Sequence, residues 1–332
     1  MEAEPVRVAV VGAGFWGRNH VRVLTELKGC EVTAVCDVDL VRAKEVARRF
    51  RVERYLTDYR ELLRDGDVDA VTVCTPSTTH ARIAVDFLSS GKHVLVEKPM
   101  ASSVREALEV VEAQRSSGTK VMVGHIERFN PAVVRAMREI GSGTIGEPLL
   151  IYGRRIGPWP ERIGDVGVVH DTTIHDIDLA YCVFGSPPSG VFAVGGSLIH
   201  AKEDHVQVTL RFDTGRSAVL ESNWLTPRKK REMYITGTQG VIRLEFLTRE
   251  VVIEKSEGSY SPMVEQTEPL RAELEAFVRS VAEGKEPVPN HLDGLISVAV
   301  ADAVLLSIRN GRVVGLEEFL DEHGVSLKSL RP

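Results

Sequence analysis

Val6-Arg-Val-Ala-Val-Val-Gly-Ala-Gly-Phe-Trp-Gly17 is the stretch on which the fold turns. Val6–Val11 is a β-branched run, the pattern of a strand buried on both faces. It breaks at Gly12, and helical spacing follows from Gly17 to Lys28. Gly12 permits a tight turn, Gly14 lets the backbone approach a pyrophosphate, and Gly17 lets helix and strand pack closely. Amides at the helix start, in the Phe15-Trp16 region, then face the phosphate. Asp37 closes the next strand, 20 residues after Gly17, where an acid that accepts from a ribose 2′-hydroxyl is expected. An acid there repels a 2′-phosphate, so the expected cofactor is NAD rather than NADP. Arg42 is the residue that could swing in and reverse this.

Outward from this stretch, strands and helices alternate. Strands are expected at Glu31–Cys36, Val68–Cys74, His93–Val96 and Lys120–Gly124, with helices between them, one opened by a Ser103/Glu106 capping box. This rhythm gives a parallel, doubly wound sheet. From about Val191 to Ile253 strands dominate, separated by Gly and charged residues, and read as an open, mainly antiparallel sheet. Helices are expected at Asn130–Ile140, Asp171–Phe184, Glu268–Glu283 and His291–Ile308. The fold class is therefore α/β: a Rossmann domain over 1–124 and a second α/β domain over 125–332, with the last helices packing back onto the first.

Composition narrows the function. The 332 residues carry 41 basic and 47 acidic side chains, a net charge of −6, with 43% hydrophobic residues. The charges are mixed, without the basic block of a nucleic-acid-binding protein. Cys30, Cys36, Cys74 and Cys182 form no CxxC and read as reduced thiols. The start of the chain lacks the basic and apolar regions of a signal peptide, and no apolar run is expected to reach the roughly 18 residues of a membrane span. A cytoplasmic protein is expected.

Two further strand ends, Thr75-Pro76 and Glu97-Lys98-Pro99, point at the crevice where open α/β sheets bind ligands. A Lys there can hydrogen-bond a substrate hydroxyl and stabilise the alkoxide that forms as hydride leaves; it can equally be a surface Lys paired with its neighbouring Glu. Asp171 and His175 are four apart on a helical segment and share a face. His175 can take a proton near neutral pH, with Asp171 to orient it, or Asp171 can simply cap a helix.

Val73-Cys-Thr-Pro-Ser-Thr-Thr-His80, Gly91-Lys-His-Val-Leu-Val-Glu-Lys-Pro99 and Asp171-Thr-Thr-Ile-His175-Asp-Ile-Asp178, in that order, resemble the Gfo/Idh/MocA oxidoreductase family over nearly the whole chain. The resemblance implies oxidation of a sugar carbinol, or the reverse, with a nicotinamide cofactor. It makes Lys98, His175 and Asp171 the catalytic set. Gly12, Gly14, Phe15, Trp16, Gly17, Asp37, Thr75, Pro76, His80, Glu97, Lys98 and Arg162 are the expected cofactor contacts. Gly124–Pro131 and Gly157–Val169 resemble those members that oxidise the C3 hydroxyl of UDP-N-acetylglucosamine. Arg128, Asn130, Arg154 and Arg155, beside Lys98, Asp171 and His175, are the expected substrate contacts: Arg154 and Arg155, with Arg162, could supply forked donors to a diphosphate, and Arg128 and Asn130, after a strand end, could reach the nicotinamide or the sugar. His170 stands where that group has an aliphatic residue.

A metal held by His170, Asp171, His175 and Asp176 is not expected, because residues 170 and 175 diverge on an α-helix by about 500° of rotation. A free polyol or sugar such as inositol or glucose is the alternative substrate. A non-catalytic NAD-sensing or partner-binding protein is the alternative of another class. The sheet face of the second domain, and the oligomers common in the family, lead us to expect a homodimer or homotetramer with a small-molecule partner, and neither nucleic acid nor membrane.

Overall fold

The computed structural model describes residues 4–160 and 164–327. The chain divides into two compact units, Met1–Ile126 with Glu268–Leu295, and Glu127–Thr267 with Ile296–Pro332.

The first unit opens β1 Val6–Val11, α1 Phe15–Glu26, β2 Cys30–Cys36, α2 Leu40–Phe50, β3 Tyr55–Leu56, β4 Ala70–Val73, α3 His80–Ser89, β5 His93–Glu97, α4 Val104–Ser117 and β6 Val121–Gly124. Its six strands pair in the order β3-β2-β1-β4-β5-β6, all parallel. β4 is buried along its whole length and β1 at all but Arg7, as helices on both faces require. The order reverses between β1 and β4, and that switch point opens the ligand crevice. Local signals agree with the elements. Asp39 caps α2 by accepting from the Val41 and Arg42 amides, and Ser103 accepts from the Glu106 amide. The Glu106 carboxylate answers at Ser102 rather than Ser103, a capping box displaced by one residue.

The second unit begins with α5 Pro131–Gly141, β7 Pro148–Pro158, α6 Ile174–Phe184, β8 Gly190–Gly196, β9 His205–Arg211, β10 Ser217–Asn223, β11 Leu225–Gly237, β12 Gly240–Glu245, β13 Glu250–Lys255 and β14 Gly258–Tyr260. Then α7 Pro269–Glu283, of the first unit, is followed by α8 His291–Asn310, in which the division between units falls, and by β15 Val314–Gly315 and α9 Leu316–Asp321. The nine-stranded sheet runs β14-β13-β12-β11-β7-β10-β9-β8-β15. It is antiparallel except where β7 lies parallel to β10. Burial alternates along β9, with Val206, Val208 and Leu210 inside. Cross-strand register places Phe192, Thr209, Val219 and Tyr152 in one row on the opposite face. There Leu150, Tyr152, Val194 and Val219 are exposed.

One expectation is corrected here. α8 has 20 residues and a mean hydropathy of 1.7 in its most apolar stretch, long and apolar enough to cross a membrane. That stretch is 67% buried in the protein, as a core helix would be.

Candidate active site

In the first unit the glycine loop has the expected geometry. Gly12 sits at φ +93°, and a Cβ there would lie 2.6 Å from the Cys74 backbone. A Cβ on Gly17 would collide with the Gly12 carbonyl, whereas one on Gly14 would meet nothing within 4 Å. Gly14 therefore leaves open room for a pyrophosphate in front of α1. The first turn of α1 carries no acid, so the positive end of the helix is unopposed. Phe15 is exposed beside Trp16. Asp37, buried at the end of β2, accepts from the Ala13 amide at 2.8 Å and from the Asp39 amide at 2.9 Å. One carboxylate thus ties the loop to the ribose position. Arg42 pairs with Asp37 at 3.2 Å and lines a groove with Gly14, Phe15, Arg18, Asn19 and Arg49. The open cradle, the helix N-terminus and the buried acid fit NAD.

At the ends of β4 and β5, Thr75 accepts a hydrogen bond from the Thr79 hydroxyl at 2.7 Å, and Lys98 follows β5, partly buried. Two expectations change. The ring nitrogens of His80 lie 2.8 Å from the carbonyl oxygens of Pro99 and Thr75, and the side chain is buried. His80 braces two strand ends and offers no nitrogen to a cofactor. The Glu97 carboxylate turns inward, where His20 Nε2 donates to it at 3.0 Å. It faces a buried cluster with Glu273, not a nucleotide.

In the second unit a π-type turn, Val169–Thr173, precedes α6. Asp171 lies in that turn, buried, and His175 lies in the first turn of α6, partly exposed. The continuous α-helix expected from Asp171 is therefore replaced by a wider first turn closed by i→i+5 bonding. This removes the rotation argument against a metal. Two of the four candidate ligands have other partners: His170 Nε2 faces Asp302 at 3.2 Å, and Asp176 turns to Arg155 at 2.9 Å. Trp224 donates to Thr172 at 3.0 Å, and Thr172 donates to Asp171 at 3.3 Å. Trp159 stacks on His200 with centroids 3.6 Å apart and meets the edge of Trp224 at 4.9 Å. An aromatic wall thus adjoins Asp171, a feature the sequence reading missed.

The expected substrate contacts fare unevenly. Arg128 is committed to Asp178 by bonds of 2.9 and 2.6 Å. Asn130 caps α5 through Ala132, and its amide group donates to Glu127 and the Phe246 carbonyl. Arg155 is buried, donating to Glu127 at 2.7 Å and Asp176 at 2.9 Å. Arg154, next along β7 and so on the other face, pairs with Glu221 at 2.9 Å. Arg128, Asn130 and Arg155 are corrected to structural positions: partners distant in sequence consume the arginine donors, and Glu127 with the Phe246 carbonyl takes those of Asn130. Arg162 lies outside the described residues. Burial works against charge in this network. Asp176 and Glu127 outweigh it at Arg155, whose pKa rises further. Arg155 likewise outweighs it at Glu127, whose carboxyl is held low. Burial prevails at Asp176, pushing its carboxyl up despite Arg155.

Fold and cofactor cradle define an NAD-dependent oxidoreductase. Residues 6–125 match the oxidoreductase family with an NAD-binding Rossmann fold, and residues 133–243 match the GFO/IDH/MocA C-terminal domain. The chain belongs to the Gfo/Idh/MocA family, and is an NAD-dependent dehydrogenase of a sugar or polyol. It is 32% identical to an inositol 2-dehydrogenase of Acidothermus cellulolyticus, covering 93% of this chain and 94% of that one. It is 31% identical to a scyllo-inositol 2-dehydrogenase (NAD(+)) of Bacillus subtilis, covering 94% and 96%. Among solved structures, a UDP-N-acetylglucosamine 3-dehydrogenase from Acidithiobacillus ferrooxidans superposes with a TM-score of 0.85 at 27% identity, covering 92% and 98%. A levoglucosan dehydrogenase solved with NADH shares the fold, with a TM-score of 0.87 at 24% identity, covering 94% and 99%.

Proposed function

We propose that the protein oxidises the C3 hydroxyl of UDP-N-acetylglucosamine to the 3-keto sugar, in the cytoplasm. The observation that carries this reading is the aromatic wall of Trp159, His200 and Trp224, joined through Thr172 to Asp171. Stacking on aromatic rings suits a nucleobase and is worth about 1–3 kcal/mol. The likeness of Gly157–Val169 to such enzymes supports it. NAD, when bound, accepts the hydride that leaves the sugar carbon. His175 takes the hydroxyl proton, Asp171 orients the imidazole, and the Lys98 ammonium steadies the oxyanion as the carbonyl forms. Phe15, Trp16 and Gly17 present the phosphate-binding amides, and Thr75 and Pro76 line the approach. With Arg155 committed elsewhere and Arg154 paired with Glu221 on the exposed face of the sheet, Arg162 is the expected residue left for the diphosphate.

That same commitment favours a second reading, a free cyclic polyol of the inositol class, which has no diphosphate to hold. The two relatives named for inositol favour it too. NADH formation with UDP-N-acetylglucosamine, myo-inositol and scyllo-inositol separates the readings. Turnover of an inositol without turnover of the UDP-sugar would overturn the first. Lys98→Ala and His175→Ala should each lower kcat about 10²- to 10⁴-fold; unchanged turnover in either removes that residue from the mechanism. We further propose that the exposed sheet face with Leu150, Tyr152, Val194 and Val219 is where copies of the chain associate into a dimer or tetramer. Light scattering should give a multiple of the 36.6 kDa chain, and a monomeric mass would refute this.

A further inference from the structure

His20 of α1, Glu97 at the end of β5 and Glu273 of α7 meet in the interior of the first unit, each offering a ligand-type atom within 4.8 Å of the others. His20 and Glu273 are fully buried and Glu97 nearly so. His20 Nε2 donates to Glu97, while its buried Nδ1 has no hydrogen-bond partner. Glu97 stays ionised. Burial would push its carboxyl up, but the hydrogen bond and charge of His20, with the charge of Lys98, hold it below the usual range. No N–H or O–H group of the described residues donates to either oxygen of Glu273. The charge that acts on it is Glu97, which, added to burial, pushes the Glu273 carboxyl well up. An ionised Glu273 would be a buried, uncompensated charge beside a like charge, which is strongly unfavourable. Taking up a proton removes that cost.

We propose that Glu273 is a neutral carboxylic acid whose proton is directed at the Glu97 carboxylate, and that this acid–carboxylate pair fixes the strand end carrying Lys98. Glu273 is then a positioning residue. It joins α7 to α1, which presents the phosphate amides, and to the residue preceding the catalytic ammonium. The proposal rests on Lys98 acting as read above. No electron moves and no bond to substrate is made: the proton stays on Glu273 through the cycle, and Glu97 remains the acceptor of hydrogen bonds from both sides. Two carboxyls and an imidazole are also a plausible metal-ligand set, so the test includes metal.

The experiment uses the full chain. At neutral pH the wild-type infrared spectrum should show the carbonyl stretch of a protonated carboxylic acid, lost in Glu273→Gln; its absence from the wild type overturns the proposal whatever the variants do. Glu273→Gln, which still offers an N–H to Glu97, should keep kcat within about twofold. Glu273→Leu, similar in size and without a donor, should lower kcat about tenfold or more with KM for NAD little changed, as a small misplacement of a catalytic group does. An unchanged Leu variant, or a Gln variant as damaged as Leu, overturns the positioning role. So does full activity of Lys98→Ala, which sinks the parent reading while the infrared band still reports on the acid. A stoichiometric divalent ion in the purified protein, lost in Glu273→Gln, would make the cluster a metal site and overturn the proposal.

Discussion

Each unit buries a pair of carboxylates, and the two pairs are neutralised by different means. In the second unit Glu127 and Asp176 flank the Arg155 guanidinium, with Arg231 outside at 3.8 Å from Glu127. In the first unit Glu97 and Glu273 share a small space with the His20 imidazole. Where a cation is built in, geometry holds the charges. At Glu273, on which only burial and Glu97 act, a proton does the same work, and that proton is exchangeable. Both arrangements therefore answer to pH, the first through Asp176 and the second through Glu273.

Breaking the guanidinium arrangement should have the largest effect. Arg155→Leu leaves two buried carboxylates unmatched and should cost about 3–5 kcal/mol, read from urea unfolding; a loss under about 1 kcal/mol would mean that the carboxylates protonate as easily as Glu273. The proton-based arrangement is sharpened by pH. The Glu273 carboxyl lies higher in the folded protein than in the unfolded chain. Its contribution is thus fully present below the ordinary carboxylate range and is lost as pH rises from there toward its folded value. Glu273→Gln removes this loss, so its stability relative to wild type should grow with pH, by up to about 1.4 kcal/mol per pH unit. A pH-independent difference would show Glu273 ionised in both states. Arg231→Gln should do least, under about 1 kcal/mol, because its side chain is 37% exposed and partly solvated pairs are weak.

Much of the first unit was legible in the sequence. β1 falls on the expected residues, since β-branched runs and glycine turns are local signals. Gly12, Gly14, Gly17 and Asp37 stand where the spacing placed them, because a phosphate loop dictates its own backbone. The side-chain partnerships were not legible. Arg128 and Arg155 look like anion forks, and only the fold brings Asp178, Asp176 and Glu127 to them. The π-type turn before His175 has no local mark, as Val169–Thr173 suits an α-helix equally well. Glu273 did leave a signal: an acid on the apolar stripe of Leu270, Leu274 and Phe277. His20, three residues after Gly17, reads alone as a core histidine.

The first unit is discontinuous, and this sets the order in which a growing chain can complete it. α7, which carries Glu273, follows all of Glu127–Thr267. During synthesis the parallel sheet waits on the order of ten seconds for its last helix, at ribosomal rates of roughly 5–20 residues per second. Until then the nascent Glu97 lacks its buried acid partner, and the region that carries Lys98 matures only after nearly the whole second sheet has left the ribosome.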